Sequence, residues 1–420
     1  MNIRRLIAIW SGRLIKTACQ ITGKQGVTLA GKVALSIYPP ILKELAAEVR
    51  KDTFIVCGTN GKTTTNNLLS DFLVSNGNKV VCNHTGSNML NGVVSAFVLS
   101  ARLNGHLDAD YACIEIDEAS TVRVLPHFKP DYMVLTNLFR DQLDRYGEID
   151  ITMNLLSRAM KMAPNMKLLV NADDSLSTYL AMDNKNPYTT YGISEQVFKD
   201  QNSKEIREGR FCKRCGHKME YKFYHYSQLG DYYCPKCGFA RPKLDFDAEE
   251  FDASHIDMSD GLAFDVKASH IKANYRGFYN IYNILAVFGA ASMAGIPTKN
   301  FNKVLGDYTP QFGRNEQFFI NGTKVMLNLA KNPAGFNQNI SAVMEDTSEK
   351  DLIILINDND QDGTDISWLW DVDFDRFQAD NINSIIVSGI RCQDMRLRLK
   401  YVDIPSMLEA DIEKAVRSRV

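Results

Sequence analysis

The chain has 420 residues, and its 48 lysines and arginines against 50 aspartates and glutamates give a formal net charge of −2 at pH 7. Hydrophobic residues make up 45% of the chain, which is enough for two or three domains with cores of their own and excludes a largely disordered protein. The near-neutral charge excludes the strongly basic balance of a dedicated nucleic-acid-binding protein.

The cysteines and the hydropathy of the chain indicate a cytoplasmic protein. Nine cysteines are present, an odd number with four of them in two Cys-x-x-Cys pairs. This arrangement suits a reducing compartment with one metal site better than a disulfide framework. No apolar run reaches the roughly 18 to 20 residues that cross a bilayer, and the N-terminus lacks the pattern of a signal peptide.

Residues 1–45 are predicted to form a basic amphipathic helical segment. Apolar side chains are interspersed there with cations: Leu6, Ile7, Trp10, Leu14 and Ile15 lie among Arg4, Arg5, Arg13, Lys16 and Lys24. We expect an ordinary helix packed on the body of the protein, and contact with a membrane surface is the alternative.

A strand, a glycine-rich turn and a helix are predicted next. Residues 53–57 are apolar and β-branched, and apolar residues at helical spacing begin at Leu68. Strand-like runs recur farther along the chain, at residues 79–82, 111–116, 132–135 and 167–170. Because crossover helices fit between these runs, they predict a mostly parallel, doubly wound sheet in an α/β domain of residues 46–310.

The turn after the first strand has the composition of a phosphate-binding loop. It contains Gly58, Thr59, Asn60, Gly61, Lys62, Thr63 and Thr64. Glycines let backbone N–H groups approach phosphate oxygens, the helix N-terminus adds a positive dipole, Lys62 supplies a cation, and Thr63 can ligate Mg²⁺. The general pattern places a further glycine where this chain has Val56, so a plain structural turn is the alternative.

Residues 205–241 interrupt the alternation of strands and helices with a segment rich in cysteine, tyrosine and lysine. Its two Cys-x-x-Cys pairs have the spacing of a zinc ribbon and comprise Cys212, Cys215, Cys234 and Cys237. Four thiolates close a tetrahedral Zn²⁺ site without an open position, so we expect a structural metal. Unligated cysteines and an iron site are the alternatives. His217 and His225 are surplus to this set and are expected to face solvent or to pack.

A second, smaller α/β domain of the Rossmann-like kind is predicted for residues 315–420. It follows a predicted helix at residues 278–293 and a boundary near residues 308–314, where a proline and a glycine punctuate the chain. Its strands are predicted at residues 352–356 and 384–387.

An acidic loop, residues 357–371, follows the first of these strands, at the edge where α/β proteins place their sites. Part of it imitates a calcium loop, with Asp358, Asp360, Asp362 and Gly363. Leu369 holds the position of the bidentate glutamate that such a loop requires, so calcium is not the favoured ligand.

Taken together, these segments resemble the Mur ligase family, which joins amino acids to peptidoglycan precursors through acyl phosphates. The matching segments follow the family's order: GTNGKTT, Glu115 in CIEIDE, Asn137 and residues 141–144 in TNLFRDQLDRYG, Asn280 and Asn283 in YNIYN, and Gly313 with Arg314. The resemblance implies that Thr63 and Glu115 bind Mg²⁺. It also implies that Asn283 reads the adenine of ATP, with Asn280 and Arg314 in the same nucleotide site.

The chain departs from the Mur ligase pattern in three regions. Gln142 and Tyr279 stand where the family has histidines. In its DDYAHNP segment, Leu327, Asn328 and Lys331 replace family residues, and Asn332 and Pro333 remain. A small neutral nucleophile such as ammonia needs no pocket that orients an amino acid. These departures are therefore consistent with ammonia as the nucleophile.

The four-cysteine insert, KNPAG and DGTDISWLWD extend the resemblance to the MurT family, the synthetase subunits of lipid II isoglutaminyl synthases. This resemblance implies ATP-dependent amidation of the D-glutamate α-carboxylate of lipid II at the inner face of the membrane. It also implies a heterodimer with a GatD-like glutamine amidotransferase subunit. That subunit would carry a catalytic Cys–His pair, and Asp365 of this chain would be the third member of the triad. The alternative for Asp365 is a cap on the helix that begins near Ile366.

Two other functions stay open from the sequence. A stand-alone amino-acid ligase of the folylpolyglutamate synthase type would share the ATP loop, but the replaced DDYAHNP groups speak against it. A zinc-ribbon NTPase that binds nucleic acid would share the insert, but the near-neutral charge speaks against it.

Overall fold

The computed structural model describes residues 2–23, 26–141, 148–197, 208–251, 261–274, 277–308, 313, 316–359 and 363–420. Three helices open the chain: α1 (Ile3–Ile21), α2 (Val27–Ile37) and α3 (Ile41–Ala46). Where α2 packs on its neighbours it buries only small residues, Ala30, Gly31 and Ala34, so the helices approach one another closely. Within the described ranges, no helix combines the length and hydropathy of a membrane span.

A nine-stranded sheet forms the centre of the protein. Its strands are β1 (Thr53–Cys57), β2 (Val80–Cys82), β3 (Tyr111–Glu115), β4 (Tyr132–Leu135), β5 (Lys167–Asn171), β6 (Tyr188–Ile193), β9 (Phe246–Glu249), β10 (Leu262–Val266) and β11 (Ser269–Ala273). Their order is β11-β10-β9-β6-β5-β4-β1-β3-β2. In this spatial order, all neighbouring pairs between β9 and β2 are parallel, and β10 and β11 add an antiparallel edge. The predicted, mostly parallel sheet is confirmed.

Helices cover both faces of this sheet. They are α4 (Lys62–Ser75), α5 (Leu90–Ser100), α6 (Thr121–Val124), α7 (Ile149–Met162), α8 (Ser175–Asp183), α9 (Tyr279–Met293) and α10 (Phe301–Asp307). Because successive strand residues point to opposite faces, β1 contributes Ile55 to the core shared with α1 to α3 and α5 to α8. Its neighbour Val56 lies in the core shared with α4, α9 and α10. Burial on both faces explains why β1 is apolar throughout.

The four-cysteine segment leaves the sheet after β6 and returns at β9, which pairs with β6. It contains an antiparallel hairpin of β7 (Glu220–Tyr226) and β8 (Leu229–Tyr233). We call residues 208–241 the ribbon. Ser227 and Gln228 form the tip of its hairpin and are both buried, so this tip is inserted into the protein and not directed to solvent.

The C-terminal part of the chain has its own sheet and core. It comprises the hairpin β12 (Glu316–Ile320) and β13 (Thr323–Leu327), helix α11 (Pro333–Glu345), the parallel strands β14 (Lys350–Leu355), β15 (Ile382–Ser388) and β16 (Met407–Leu408), and helices α12 (Cys392–Lys400) and α13 (Ile412–Arg417). Its hydrophobic core is separate from the two cores of the large sheet and includes Ile354, Phe374 and Met395.

Candidate nucleotide site and four-cysteine site

The predicted phosphate loop lies between the carboxyl end of β1 and the N-terminus of α4. Gly58 and Gly61 both have positive φ, +122° and +84°. A Cβ atom on Gly58 would lie 2.2 Å from Thr136 Oγ1, and one on Gly61 would lie 2.2 Å from Asn283 Oδ1. The two glycines are therefore required both for the turn and for the close approach of neighbouring polar side chains.

The chain after β4 holds the phosphate loop in place. Asn60 N–H donates to Asn137 Oδ1 (2.9 Å), and the Asn137 side chain donates back to the Asn60 carbonyl (3.1 Å). The Thr136 hydroxyl donates to the same carbonyl at 2.8 Å. Asn137, which the sequence places in the Mur ligase signature, thus supports the loop backbone.

Lys62 is buried at the start of α4 and is surrounded by acceptors. Its Nζ donates to the Gly58 carbonyl (2.5 Å) and to Glu118 Oε1 (3.1 Å). Burial by itself lowers the pKa of Lys62, but the carboxylates of Glu118 and Asp117 outweigh it and raise this pKa above its usual value. Lys62 is therefore a cation at neutral pH, positioned beside the loop that would receive phosphate.

Thr63 and Glu115, the predicted magnesium ligands, are in direct contact. The Thr63 hydroxyl donates to Glu115 Oε2 at 2.7 Å, and Asn88 Nδ2 donates to Glu115 Oε1 at 2.9 Å. Asn83 fixes the Glu115 backbone through hydrogen bonds to both its N–H (2.9 Å) and its carbonyl (2.8 Å). A hydroxyl and a carboxylate side by side provide the hard oxygen ligands that Mg²⁺ prefers, so these residues fit the predicted ion.

A cavity of about 370 Å³ opens over the phosphate loop. The large sheet domain contributes Thr59, Asn60, Gly61, Lys62, Thr63, Thr64, Glu115, Tyr226, Tyr279, Tyr282 and Asn283 to its lining. The C-terminal part contributes residues 328–331, Gly335, Gln338 and Asn339 from the opposite side. The cavity therefore lies between the two parts of the chain, with its phosphate-binding end against α4.

The two predicted asparagines of α9 have different positions. Asn283 lines the cavity, and its Oδ1 accepts a hydrogen bond from the Thr65 hydroxyl at 3.3 Å. Asn280 lies beside it, where its Oδ1 accepts from Asn283 Nδ2 at 2.9 Å. Asn280 therefore orients the Asn283 carboxamide. Arg314 lies outside the described residues, as do Gln142 and Asp144, whereas Gly313 lines the cavity.

The start of α11 closes one end of the site. Asn332 caps this helix, because its Oδ1 accepts from Gly335 N–H at 2.8 Å. The same side chain donates from Nδ2 to Asn60 Oδ1 at 3.0 Å. Next to it, Lys331 Nζ forms an ion pair with Asp141 Oδ2 at 2.6 Å. Residues of KNPAG thus contact the phosphate loop directly.

Asp365 lies at the rim of this contact, in a small crevice that also includes Arg140, Lys331 and Asn332. Its Oδ1 accepts from the N–H of Ser367 at 2.8 Å, at the start of the 3₁₀ turn Ser367–Asp371. This contact joins residues two positions apart and precedes the turn, whose N-cap residue is Ile366, so it resembles the capping alternative without being a side-chain cap of the N-cap residue. It uses one carboxylate oxygen, and the side chain is only partly buried.

The four predicted metal-binding cysteines come together in the ribbon. Their sulfur atoms all lie within 4.8 Å of one another. The Sγ–Sγ distances are 3.6 Å for Cys212 with Cys237 and 3.5 Å for Cys215 with Cys234. Zn–S bonds of about 2.3 Å in a tetrahedron require sulfur separations of about 3.8 Å, so the cluster fits a zinc ion with all four positions filled.

Each Cys-x-x-Cys pair is built in the same way. Gly216 and Gly238, which follow the second cysteine of each pair, have φ of +71° and +73°. The N–H of Gly216 donates to the Cys212 carbonyl (2.8 Å), and that of Gly238 donates to the Cys234 carbonyl (3.0 Å). His217 is exposed and His225 is buried, and neither belongs to the cluster found among the described residues.

A buried polar network joins the ribbon to the large sheet domain. Asp173 accepts from Arg241 Nη1 (2.9 Å) at one oxygen and from the Tyr282 hydroxyl (2.8 Å) at the other. Burial raises the pKa of Asp173 to about 6, although Arg241 acts in the opposite direction. At the hairpin tip, Gln228 Nε2 donates to Asp174 Oδ1 at 2.8 Å. Because Tyr282 precedes Asn283, this network reaches the cavity lining.

Sequence reasoning missed several residues of the site, among them Glu118, Asn88 and Tyr226. Glu118 pairs with Lys62, Asn88 orients Glu115, and Tyr226 brings an aromatic ring from the ribbon into the cavity. Glu118 stands in the same segment as Glu115, so the clustering of acids after a strand was an available signal. The positions of Asn88 and Tyr226 depend on contacts across the fold and have no local signature.

Comparisons with known proteins agree with this geometry. A family model of the Mur ligase middle domain matches residues 56–234, and one of the MurT ligase C-terminal region matches residues 329–420. The lipid II isoglutaminyl synthase (glutamine-hydrolyzing) subunit MurT of Staphylococcus aureus strain COL is 36% identical over 98% of this chain and 92% of its own length. The corresponding subunit of Streptococcus pneumoniae strain R6 is 32% identical, over 97% and 89% of the two chains.

Solved structures share the fold. A pseudomurein peptide ligase type C from Methanothermus fervidus has a TM-score of 0.68 at 21% identity, covering 89% of this chain and 70% of that one. The MurF ligase of Thermotoga maritima in complex with ADP has a TM-score of 0.62 at 14% identity, covering 92% and 78%. The chain therefore belongs to the MurT family of lipid II isoglutaminyl synthase subunits, within the Mur ligases, which are ATP-dependent ligases.

Proposed function

We propose that this chain is the synthetase subunit of a glutamine-dependent amidating enzyme. It uses ATP to phosphorylate the α-carboxylate of the D-glutamate residue in the lipid II stem peptide. Ammonia then attacks the carbonyl carbon of the acyl phosphate, so that a C–N bond forms, the C–O bond to phosphate breaks, and phosphate leaves. The product carries D-isoglutamine. The reaction takes place at the inner face of the membrane, because lipid II is anchored there by its lipid.

The observation that carries this proposal is the phosphate loop with its buried cation and oxygen pair, in a chain aligned with MurT subunits over nearly its whole length. The loop N–H groups and Lys62 would hold the transferring phosphoryl group and stabilise its charge. Thr63 and Glu115 would hold Mg²⁺, which when bound neutralises charge on the phosphates. Asn88 keeps the Glu115 carboxylate turned toward Thr63.

The base of ATP has an aromatic region available in the same cavity. Tyr226, Tyr279 and Tyr282 line it close to Asn283, the residue that the family resemblance assigns to adenine. Tyr226 packs against two aromatic neighbours. Its ring centroid lies 6.0 Å from that of Tyr282 and 6.2 Å from that of Phe139. We therefore assign the base to this wall, with Asn283 as a hydrogen-bonding partner.

Ammonia would come from a GatD-like glutamine amidotransferase subunit that binds this chain as a heterodimer. Asp365 would complete the partner's Cys–His pair by orienting the histidine and stabilising its imidazolium. Two features support this role. The carboxylate is only partly buried, and its Oδ2 accepts no hydrogen bond from the residues that the structure describes. The crevice next to it includes Lys331, which also lines the nucleotide cavity.

The test is co-expression of the chain with a candidate glutamine amidotransferase and an assay of lipid II amidation driven by ATP with glutamine or with ammonium. Asp365→Asn can still accept the hydrogen bond from the N–H of Ser367, because the asparagine side chain keeps an oxygen acceptor. We expect this variant to lose glutamine-driven amidation and to keep ammonium-driven amidation. The matched control is Asp380→Asn, an exposed aspartate of the same domain.

Attachment of an amino acid to the stem peptide by the chain alone, unaffected by Asp365→Asn, would instead establish a stand-alone amino-acid ligase. Equal loss of glutamine-driven and ammonium-driven amidation would show that Asp365 is needed for folding or for phosphoryl transfer and not for the partner's triad.

A further inference from the structure

The solvent-facing side of α1 is apolar, which is the reverse of an ordinary surface helix. α1 buries Arg5, Ala8, Ile9 and Gly12 against the body of the protein. On the opposite side it exposes a row of large apolar residues that we call the outer face: Ile3 (72% exposed), Ile7 (44%), Trp10 (47%), Leu14 (71%) and Ile21 (82%). Because helix residues succeed one another at about 100°, these five lie within an arc of roughly 60°.

The outer face continues onto neighbouring segments. Trp10 Nε1 donates to the carbonyl of Leu103 at 3.0 Å, and the Leu103 side chain is itself exposed. Leu29 of α2 is exposed as well. A group of large apolar residues on one side of a polar protein marks an interaction surface and not ordinary exposure of single residues.

The segment that carries this surface has ionisable side chains of one sign. Residues 1–43 contain seven lysines and arginines and no aspartate or glutamate, and the first acidic residue of the chain is Glu44. Arg5 is neutralised by ion pairs with Glu44 and Glu48. Arg4 and Lys32 are exposed on α1 and α2. The whole chain has a net charge of −2, so residues 1–43, with a net charge of +7, differ in sign from the rest of the chain.

We propose that the outer face binds the surface of a bilayer that contains anionic lipids. An apolar stripe accompanied by lysines and arginines is the pattern of helices that lie in the plane of a membrane, with apolar side chains among the acyl chains and cations at the headgroups. α1 has 19 residues and would lie along the surface. The choice of a lipid surface over a protein partner rests on the proposed function, since lipid II is itself anchored in a bilayer.

The membrane-binding helices are packed directly on the element that leads to the site. A Cβ atom on Gly31 of α2 would lie 1.9 Å from the Asn91 carbonyl oxygen, in the first turn of α5. The Ser95 hydroxyl of α5 donates to the carbonyl of Val27, at the start of α2. Asn88, two residues before α5, orients Glu115. A bilayer bound at the outer face would therefore hold the catalytic cavity at a fixed height above the lipid.

The test is co-sedimentation of the full chain with vesicles of phosphatidylcholine alone and vesicles of phosphatidylcholine with phosphatidylglycerol. We expect binding to the anionic vesicles, weakened by salt, and a reduction of about tenfold or more when Leu14→Glu places a charge in the outer face. Leu397→Glu, at an exposed leucine of α12, is the control and should bind like wild type. A circular dichroism melt checks that both variants are folded.

Absence of binding by the wild-type chain, or equal binding by Leu14→Glu, would overturn the proposal. Self-association abolished by Leu14→Glu, without vesicle binding, would also overturn it and assign the outer face to a second copy of the chain. Amidation of detergent-solubilised lipid II by the complex separates the two proposals, because it needs no vesicle. Leu14→Glu should keep this activity and lose amidation of vesicle-embedded lipid II, whereas failure of the proposed function would abolish both in the wild type.

Discussion

Replacing Tyr226 with leucine tests whether the ribbon forms part of the nucleotide site. The tyrosine is partly buried, and its ring is held by Phe139 and Tyr282, so it is ordered before a ligand arrives. Stacking of a base on an aromatic ring contributes about 1–3 kcal/mol. Loss of the ring should therefore raise the Kd for ATP about 5- to 150-fold. The phosphate loop is not altered by this change, so affinity for phosphate groups should be retained.

Isothermal titration with Mg-ATP and with magnesium tripolyphosphate separates the two contributions. Tyr226→Leu should weaken ATP binding and leave tripolyphosphate binding within about twofold of wild type, since only ATP carries a base. Tyr224→Leu is the control, because this residue lies on the same strand and stacks on Tyr221, at a centroid distance of 4.1 Å, away from the cavity lining that the structure describes. Equal weakening of both ligands, or unchanged ATP binding, would refute the assignment of the base to this wall.

Three further predictions concern the loop, the ribbon and pH. Gly61→Ala should abolish detectable ATP binding in the same titration, since its Cβ would meet Asn283 Oδ1 at 2.2 Å and the left-handed backbone adds about 1–2 kcal/mol of strain. Removal of zinc by a chelator should lower the melting temperature of the protein. It should also weaken ATP binding more than tripolyphosphate binding, because the cysteines hold the hairpin that carries Tyr226. Unchanged ATP affinity in a zinc-free sample would contradict this prediction. Burial lowers the pKa of His225 to about 4 from 6.5, so its contribution to stability is present above pH 6.5 and is lost as pH falls toward 4. The pKa of Asp173 is raised to about 6, so protonation of this carboxylate stabilises the folded state as pH falls over nearly the same range. Urea unfolding of His225→Phe should therefore show the variant gaining about 3 kcal/mol relative to wild type between pH 6.5 and 4, and a constant difference would be inconsistent with a buried neutral histidine.

Sequence alone was informative where the residues that act together are close neighbours along the chain. The predicted phosphate loop occupies seven consecutive residues, and the four cysteines lie in two tight pairs, so their spacing by itself predicted a phosphate site and a metal site. The parallel sheet followed from apolar runs that are buried on both faces, as β1 shows. In each case the physical requirement acts over a few residues and leaves a local pattern.

Contacts between distant segments left no such pattern. Lys331 and Asp141 are 190 positions apart and form an ion pair between the C-terminal part and the large sheet domain, and nothing near either residue indicates the other. Asn280 and Asn283 stand three residues apart on one helix, so both appear equally suited to a ligand until packing shows which of them faces the phosphate loop. The same holds for Tyr226, which reaches the cavity because Gln228 and Asp174 anchor the hairpin tip.

The double role of Asn332 bears on how nucleotide could enter and leave. Its Oδ1 caps α11 within the C-terminal part of the chain, while its Nδ2 reaches across to Asn60. If the two halves swing apart, the cross-bond and the nearby ion pair of Lys331 break, but the cap stays and α11 keeps its first turn. Opening of this kind therefore leaves the cap of α11 intact, and the contacts that separate are those of Asn332 with Asn60 and of Lys331 with Asp141.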